Sequence, residues 1–200
     1  MSVVKQEQFN RGIRLSSRWL EINGFDSVQV NNLDDGSHRS SQYLKYIRTC
    51  GFYSGRDQLI WISPKRCAVT AGPKMSCSWS FPRFKIDRTP IGVVAHEVGH
   101  YVDHKMGRPS ARLEKAFLAK KGAVSGYEPN NSESFAESMR LFILNPDLLK
   151  QANPIRYEFL RKELGLRPLT KKNWEEVLEK EGAHERIVNA ARNWIDRLNS

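Results

Sequence analysis

The segment from residue 89 to residue 105 limits the possible folds of this chain more than any other part of its sequence. Thr89 is a typical helix N-cap and Pro90 suits the first helical position, while the glycine and proline after residue 106 end the pattern. The apolar run at residues 91–95 indicates that this helix is buried. The sequence therefore predicts a buried helix of about four turns.

This predicted helix carries the motif H-E-x-x-H. His96 and His100 are four residues apart, so their rings lie on one face of the helix and can bind one metal ion together. Glu97, next to the first histidine, can act as general base on a metal-bound water. The motif predicts a metal site with hydrolytic chemistry.

A third ligand is needed, because a catalytic zinc ion usually takes three protein ligands and keeps one position open for water. His104 lies about 12 Å along the helix axis from His96, whereas each ligand atom must lie about 2 Å from the zinc ion. No glycine precedes His104 to turn the chain back, so we expect it to lie at the surface or to support a ligand. The candidates are His104, Glu128, Glu133 and Glu137.

A glutamate on a separate helix fits the third position better. Glu133 and Glu137 are four residues apart and therefore share one helix face. Zinc peptidases with a carboxylate ligand place a second acid four residues later, where it accepts the other N–H of a ligand histidine. Glu133 is the predicted ligand and Glu137 the supporting acid. Asp103, seven residues after His96, is a further candidate for the supporting position.

The two motifs together resemble a known family. Residues 96–103 read H-E-V-G-H-Y-V-D and residues 133–137 read E-S-F-A-E. These runs look like the catalytic domain of anthrax lethal factor, the related Pro-Pro endopeptidases and similar predicted metallopeptidases of phage and bacteria. That family has H-E-x-G-H-x-V-D on one helix and E-x-F-A-E on a later one. The similarity covers roughly residues 89–160.

The resemblance implies a zincin metallopeptidase, which hydrolyses peptide bonds in a protein or peptide substrate. It implies that His96, His100 and Glu133 bind Zn²⁺ and that Glu97 activates the water. In the family, a tyrosine before the glutamate ligand faces the metal and stabilises the oxyanion. Tyr127 is the matching residue, although its spacing to the ligand is one residue shorter here than is usual in the family.

The periodicity of the whole chain predicts an α+β, zincin-like fold, in which a small sheet packs on the active-site helix and a mostly helical part follows. A zincin-like domain is expected at residues 1–165 and a helical appendage at residues 166–200. Residues 76–84 are the expected sheet edge for an extended substrate. The predicted strands are residues 28–30, 58–62, 67–71 and 76–81. The predicted helices are residues 3–22, 41–49, 90–105, 111–121, 132–144, 154–164, 171–181 and 184–198.

Composition bears mainly on partners and location. The net charge is +10, which favours contact with acidic proteins or nucleic acid, although no recognised nucleic-acid motif is found. No apolar run approaches the roughly 20 residues of a membrane span, and residues 1–20 lack a signal segment. We therefore expect a cytoplasmic protein without a membrane partner, or a virion-associated one if a phage encodes it.

Two alternatives remain open at this point. The zinc could be structural, inside a basic interaction protein of a phage particle or a nucleic-acid complex. A structural site closes its fourth position with a protein ligand, yet no cysteine lies near the motif. The chain could also be a regulatory peptidase that cleaves a repressor, with a basic helical tail that binds a partner.

Overall fold

The computed structural model describes residues 2–35, 49–68, 88–112, 122–125, 127–128 and 130–179, and it has a mixed α+β fold. The predicted α+β class is confirmed. Two 3₁₀ turns at Leu33–Asp35 and Pro109–Arg112 and a π-helical turn at Phe159–Glu163 complete the described elements. The strands are β1 Gln29–Asn32, β2 Gly51–Ser54 and β3 Leu59–Ile62. The helices are α1 Val3–Ile22, α2 Pro90–Lys105, α3 Asn131–Leu144, α4 Pro146–Ala152, α5 Pro154–Glu158 and α6 Lys171–Glu179.

Most predicted elements that fall in the described ranges are confirmed, with shifts at their ends. Strand β1 ends two residues later than predicted, and residues 67 and 68 belong to no strand. Strand β2 and helix α4 were not predicted. Helix α3 begins one residue earlier than expected, because Asn130 Oδ1 accepts the Glu133 N–H at 3.0 Å and caps it. Several predictions concern residues that lie outside the described ranges. They are the helical residues 41–48, 113–121 and 184–198, the strand residues 69–71 and 76–81, and the substrate edge at 76–84.

The described sheet has the strand order β1-β3-β2. Strand β1 pairs parallel with β3, and β2 pairs antiparallel with it, so that Ile60 lies opposite both Val30 and Tyr53. Ile60 and Ile62 are fully buried and join the main core. A Cβ on Gly51 would lie 2.8 Å from Val93 Cγ1 of α2. Strand β2 therefore runs directly beside the helix that carries the histidines.

Helix α2 is the centre of the fold, and two glycines let other helices approach it closely. A Cβ on Gly12 of α1 would lie 3.0 Å from Ile91 Cα, and a Cβ on Gly99 would lie 2.8 Å from Ala136 Cα. At such distances a larger residue would push the backbones apart. The contact of Gly99 with Ala136 determines the position of α3 along the axis of α2. Glu133 lies about one turn before Ala136. The close approach therefore brings Glu133 to the histidines.

The C-terminal helices pack on the same core. Asn145 and Asn153 cap α4 and α5 through their side chains. Trp174 and Val177 of α6 belong to the cluster that includes the residues of α1, and Arg18 and Glu176 form an ion pair at 3.0 Å. The division after residue 165 stays a prediction. None of the helices in the described ranges combines the length and the apolar composition needed to cross a bilayer.

Candidate metal centre

Three predicted ligands converge between α2 and α3. Glu133 Oε2 lies 3.0 Å from His96 Nε2 and 3.4 Å from His100 Nε2. The ligand atoms of the three residues all lie within 4.8 Å of one another. Two imidazole nitrogens and one carboxylate oxygen are a donor set that suits zinc. The residues therefore fit a divalent ion of this kind, although their role as ligands stays a prediction.

A buried ion pair contacts the Nδ1 side of the His96 ring. Its Nδ1 lies 2.8 Å from Glu137 Oε1, so Glu137 has the supporting position that its spacing predicts. Arg140 donates to both carboxylate oxygens of Glu137, from Nε at 3.0 Å and from Nη2 at 2.8 Å. Both side chains of the pair are only 1% exposed. The carboxylate thereby fixes the ring so that Nε2 faces the cleft. Arg140 was not predicted, because its only signal is a charge on an otherwise apolar helix face.

His100 has its own support, which the sequence did not reveal. Its Nδ1 lies 3.2 Å from the hydroxyl of Ser132 in the first turn of α3. The same turn carries Glu133, so one short segment contacts His100 at both ring nitrogens. A serine beside the ligand has no distinctive spacing, and nothing in the sequence separates it from an ordinary capping residue.

Asp103 has a different role from the predicted one. Its carboxylate accepts the Ser110 N–H at 2.9 Å and the Ser110 hydroxyl at 2.7 Å, which anchors the turn after α2. The prediction used the angular spacing from His96 but not the axial rise, which is about 10 Å over seven residues. Among the described residues, the acid that contacts His96 Nδ1 is Glu137, whereas the Asp103 carboxylate contacts Ser110. His104 is outside the metal-binding group of the described residues, as expected, and its Nδ1 lies 2.7 Å from the Tyr53 hydroxyl.

Glu97 lies in the wall of the cleft and is 6% exposed. Its burial raises its pKa, whereas the charges of His96 and His100 act in the opposite direction. The backbone of Tyr53, in β2, acts on the pKa in the same direction as these two charges. A buried carboxylate with a raised pKa is a stronger proton acceptor than an exposed one. Glu97 therefore has the character that a general base needs.

Tyr127 lies beside the histidines and is 42% exposed. Its ring centroid lies 5.9 Å from that of His96. Burial raises its pKa, and the charges of Glu133 and Glu97 add to this effect, so the hydroxyl keeps its proton at neutral pH. A neutral phenol at this place is able to donate a hydrogen bond into the cleft.

The loop that carries Tyr127 is held by Glu128, which was one of the candidate ligands. Glu128 Oε1 accepts the N–H groups of Val124 and Ser125 at 2.6 and 3.0 Å. Its Oε2 accepts Arg156 Nη2 at 2.7 Å, and Arg156 is fully buried. Glu128 therefore anchors the loop to the C-terminal helices, and Glu133 remains as the third member of the metal-binding group.

A cleft of about 630 Å³ connects these residues. It runs along α2, with β2 on one side and the start of α3 on the other. Its lining includes all the predicted ligands, Glu97, Tyr127 and residues 49–53 of β2 and its approach. The same cleft thus contains a candidate metal site, a buried carboxylate and a phenol, which are the kinds of group that metal-assisted hydrolysis uses.

In the metal-free protein, His96 and Glu133 stabilise each other's charged forms. Burial lowers the pKa of His96, but hydrogen bonds with Glu133 and Glu137 outweigh it and raise the pKa to about 10. Burial raises the pKa of Glu133, but the hydrogen bonds to His100 and His96 outweigh it and lower the pKa to about 2. At pH 7, His96 is therefore protonated and Glu133 is ionised. His96 must therefore lose a proton before its Nε2 can bind a metal ion.

Zinc binding is therefore expected to release about one proton per ion at pH 7, because a metal ligand must be deprotonated. Glu133 contributes no proton, since its pKa is already about 2. The raised pKa of His96 means that affinity rises with pH, by about tenfold per unit, until the pH approaches about 10. Calorimetry in buffers of different ionisation enthalpy measures the proton count. An affinity that stays constant between about pH 6 and pH 8 would contradict this charge assignment.

Comparison with protein-family models, with curated proteins and with solved structures gave no match for this chain. The resemblance to the lethal factor group therefore rests on the motifs at residues 96–103 and 133–137.

Proposed function

We propose that this chain is a zinc-dependent endopeptidase with a zincin-like arrangement of its site. The observation that carries the proposal is the convergence of His96 Nε2, His100 Nε2 and Glu133 Oε2 beside the buried Glu97. Because the residues of this motif line a cleft of about 630 Å³, an enzyme is favoured over a purely structural metal site.

The proposed chemistry divides between the ion and the protein. A zinc ion held by His96, His100 and Glu133 would lower the pKa of a bound water toward 7 and would polarise the scissile carbonyl. Glu97 accepts the proton of the attacking water and passes it to the leaving amine. Tyr127 donates a hydrogen bond to the oxyanion of the tetrahedral intermediate. Glu137 and Ser132 keep the two histidine rings oriented.

A structural zinc site in a basic interaction protein is the alternative. Such a site closes its fourth position with a protein ligand. Among the described residues, the metal-binding group has three members, His96, His100 and Glu133. Together with a base and a phenol in the same cleft, this favours an open, catalytic site. The repressor-cleaving regulator is a special case of the same peptidase chemistry, and its partner is unassigned.

Elemental analysis tests the proposal first. We expect about one zinc ion per chain in the wild type and a clear loss of zinc in Glu133→Gln. Glu163→Gln is the matched control, because Glu163 is exposed and lies outside the cleft. A diverse peptide mixture, analysed by mass spectrometry, should then show cleavage that a chelator stops and zinc restores. A folded, zinc-loaded protein that cleaves no peptide would reject the enzyme.

A further inference from the structure

The residues that line the cleft extend from Arg88, before α2, to Arg108, after it, and the histidines of the candidate metal site lie near the middle of that helix. Helix α2 has 16 residues and is therefore about 24 Å long. Strand β2 follows it in the same direction, since Gly51 approaches Val93 and Gly55 approaches His104. An extended chain of about seven residues spans such a length. The cleft thus has room for a peptide on both sides of the metal site.

One arginine lies at each end of this cleft. Arg88 precedes the N-terminal end of α2 and Arg108 follows its C-terminal end, and both side chains are exposed and line the cavity. Among the described residues, neither guanidinium group has a carboxylate partner or a side-chain hydrogen bond. The charge of Arg88 reaches Cys50 and Tyr127 across the cleft, and that of Arg108 reaches Tyr53.

The carboxylates that line the cleft, in the part of the chain that the structure describes, are buried or already hydrogen-bonded. Glu133 contacts both histidines and Glu137 pairs with Arg140. Asp103 accepts two hydrogen bonds from Ser110, and Glu97 is buried. The zinc ion of the proposed function would offset the charges of Glu133 and Glu97. Among the described residues that line the cleft, the charged groups without a partner at its two ends are therefore the guanidinium groups of Arg88 and Arg108.

The backbone of Arg108 supports a role for its side chain. Arg108 has φ +59°, a left-handed conformation that residues other than glycine and asparagine rarely adopt. Its N–H donates to the Asp103 carbonyl at 2.7 Å, which holds this conformation. Glycine would satisfy the same turn with less strain, as it does at Gly107. This turn fixes where the arginine leaves the end of α2.

We propose that the cleft selects an extended peptide with an acidic side chain on each side of the scissile bond, one opposite Arg88 and one opposite Arg108. This inference rests on the proposed peptidase function and names its substrate class. The length of the cleft places each acidic residue about three positions from the scissile bond. Arginines at the rim of a cleft attract and orient an anionic ligand, and this effect on the association rate lowers KM.

The test uses a cleaved peptide from the mixture and its variants with Glu, Gln or Lys at each outer position. With the wild type, we expect kcat/KM to fall by about three- to tenfold for each Glu replaced by Lys, mainly through KM. Arg88→Glu should reverse the preference at one outer position, and Arg108→Glu should reverse it at the other. The control Arg161→Glu changes an exposed arginine outside the cleft and should leave both preferences intact.

Two outcomes would overturn this inference while leaving the peptidase in place. One is cleavage that does not depend on the charge of the outer residues, and the other is an Arg161→Glu effect as large as those of the cleft variants. Fluorescence anisotropy of the same labelled peptides gives a readout without hydrolysis. The protein could bind acidic peptides preferentially and yet cleave none of them. If both cleft variants then lose this preference, the result would support the charged cleft and reject the peptidase. Tighter binding of a single-stranded oligonucleotide than of the acidic peptide would reject the peptide assignment.

Discussion

Replacing Glu97 by glutamine is expected to abolish peptide hydrolysis while the protein still binds zinc. Glutamine has nearly the same size and keeps one carbonyl oxygen, but it cannot accept the proton of the attacking water. Removal of a general base typically costs about 10²–10⁴-fold in rate. The measurement is kcat on a cleaved peptide, together with zinc content and the free energy of unfolding.

The position of Glu97 makes this variant informative. Its side chain lies in the wall of the cleft and is 6% exposed, and glutamine has nearly the same shape and keeps one oxygen acceptor. The folded structure should therefore persist, and a loss of activity will report the lost base. Glu163→Gln should retain wild-type kcat. Wild-type kcat in Glu97→Gln would contradict the base assignment, and loss of zinc would indicate that Glu97 is itself a ligand.

The helices that begin with local signals were predictable. Thr89 and Pro90 mark the start of α2 in the sequence, and the structure places the helix there. Helix α4 was missed because Asn145-Pro146 was interpreted only as an end, whereas Asn145 also caps the next helix. Strand β2 was missed because a four-residue segment becomes a strand only through its pairing with β3.

The site was predictable where helical periodicity determines the geometry. The spacing of Glu133 and Glu137 predicts one shared face, and the structure places both against His96. The same reasoning does not place Asp103 beside His96. Two residues can share a helix face and still lie about 10 Å apart along the helix axis. Arg140 was beyond sequence reasoning, since only the tertiary structure shows that this charge is completely buried.

Replacing Arg140 by methionine is expected to lower the free energy of unfolding of the metal-free protein by about 3–5 kcal/mol. Burial by itself would raise the pKa of Glu137, but Arg140 and the hydrogen bond to His96 outweigh it and hold the pKa below its usual range. Methionine fills a similar volume, but it removes Arg140 from the two partners of the Glu137 carboxylate and leaves His96. Urea denaturation followed by circular dichroism measures the loss.

The size of this loss separates a buried pair from a surface one. Arg161→Met changes an exposed arginine and should cost less than about 0.5 kcal/mol. The double variant Glu137→Leu with Arg140→Met should regain part of the lost stability, because it removes the uncompensated charge. It should still bind zinc about 10–100-fold more weakly, since His96 loses the carboxylate that orients its ring. Equal stability of Arg140→Met and Arg161→Met would contradict the pair, and unchanged zinc affinity in the double variant would show that Glu137 does not orient His96.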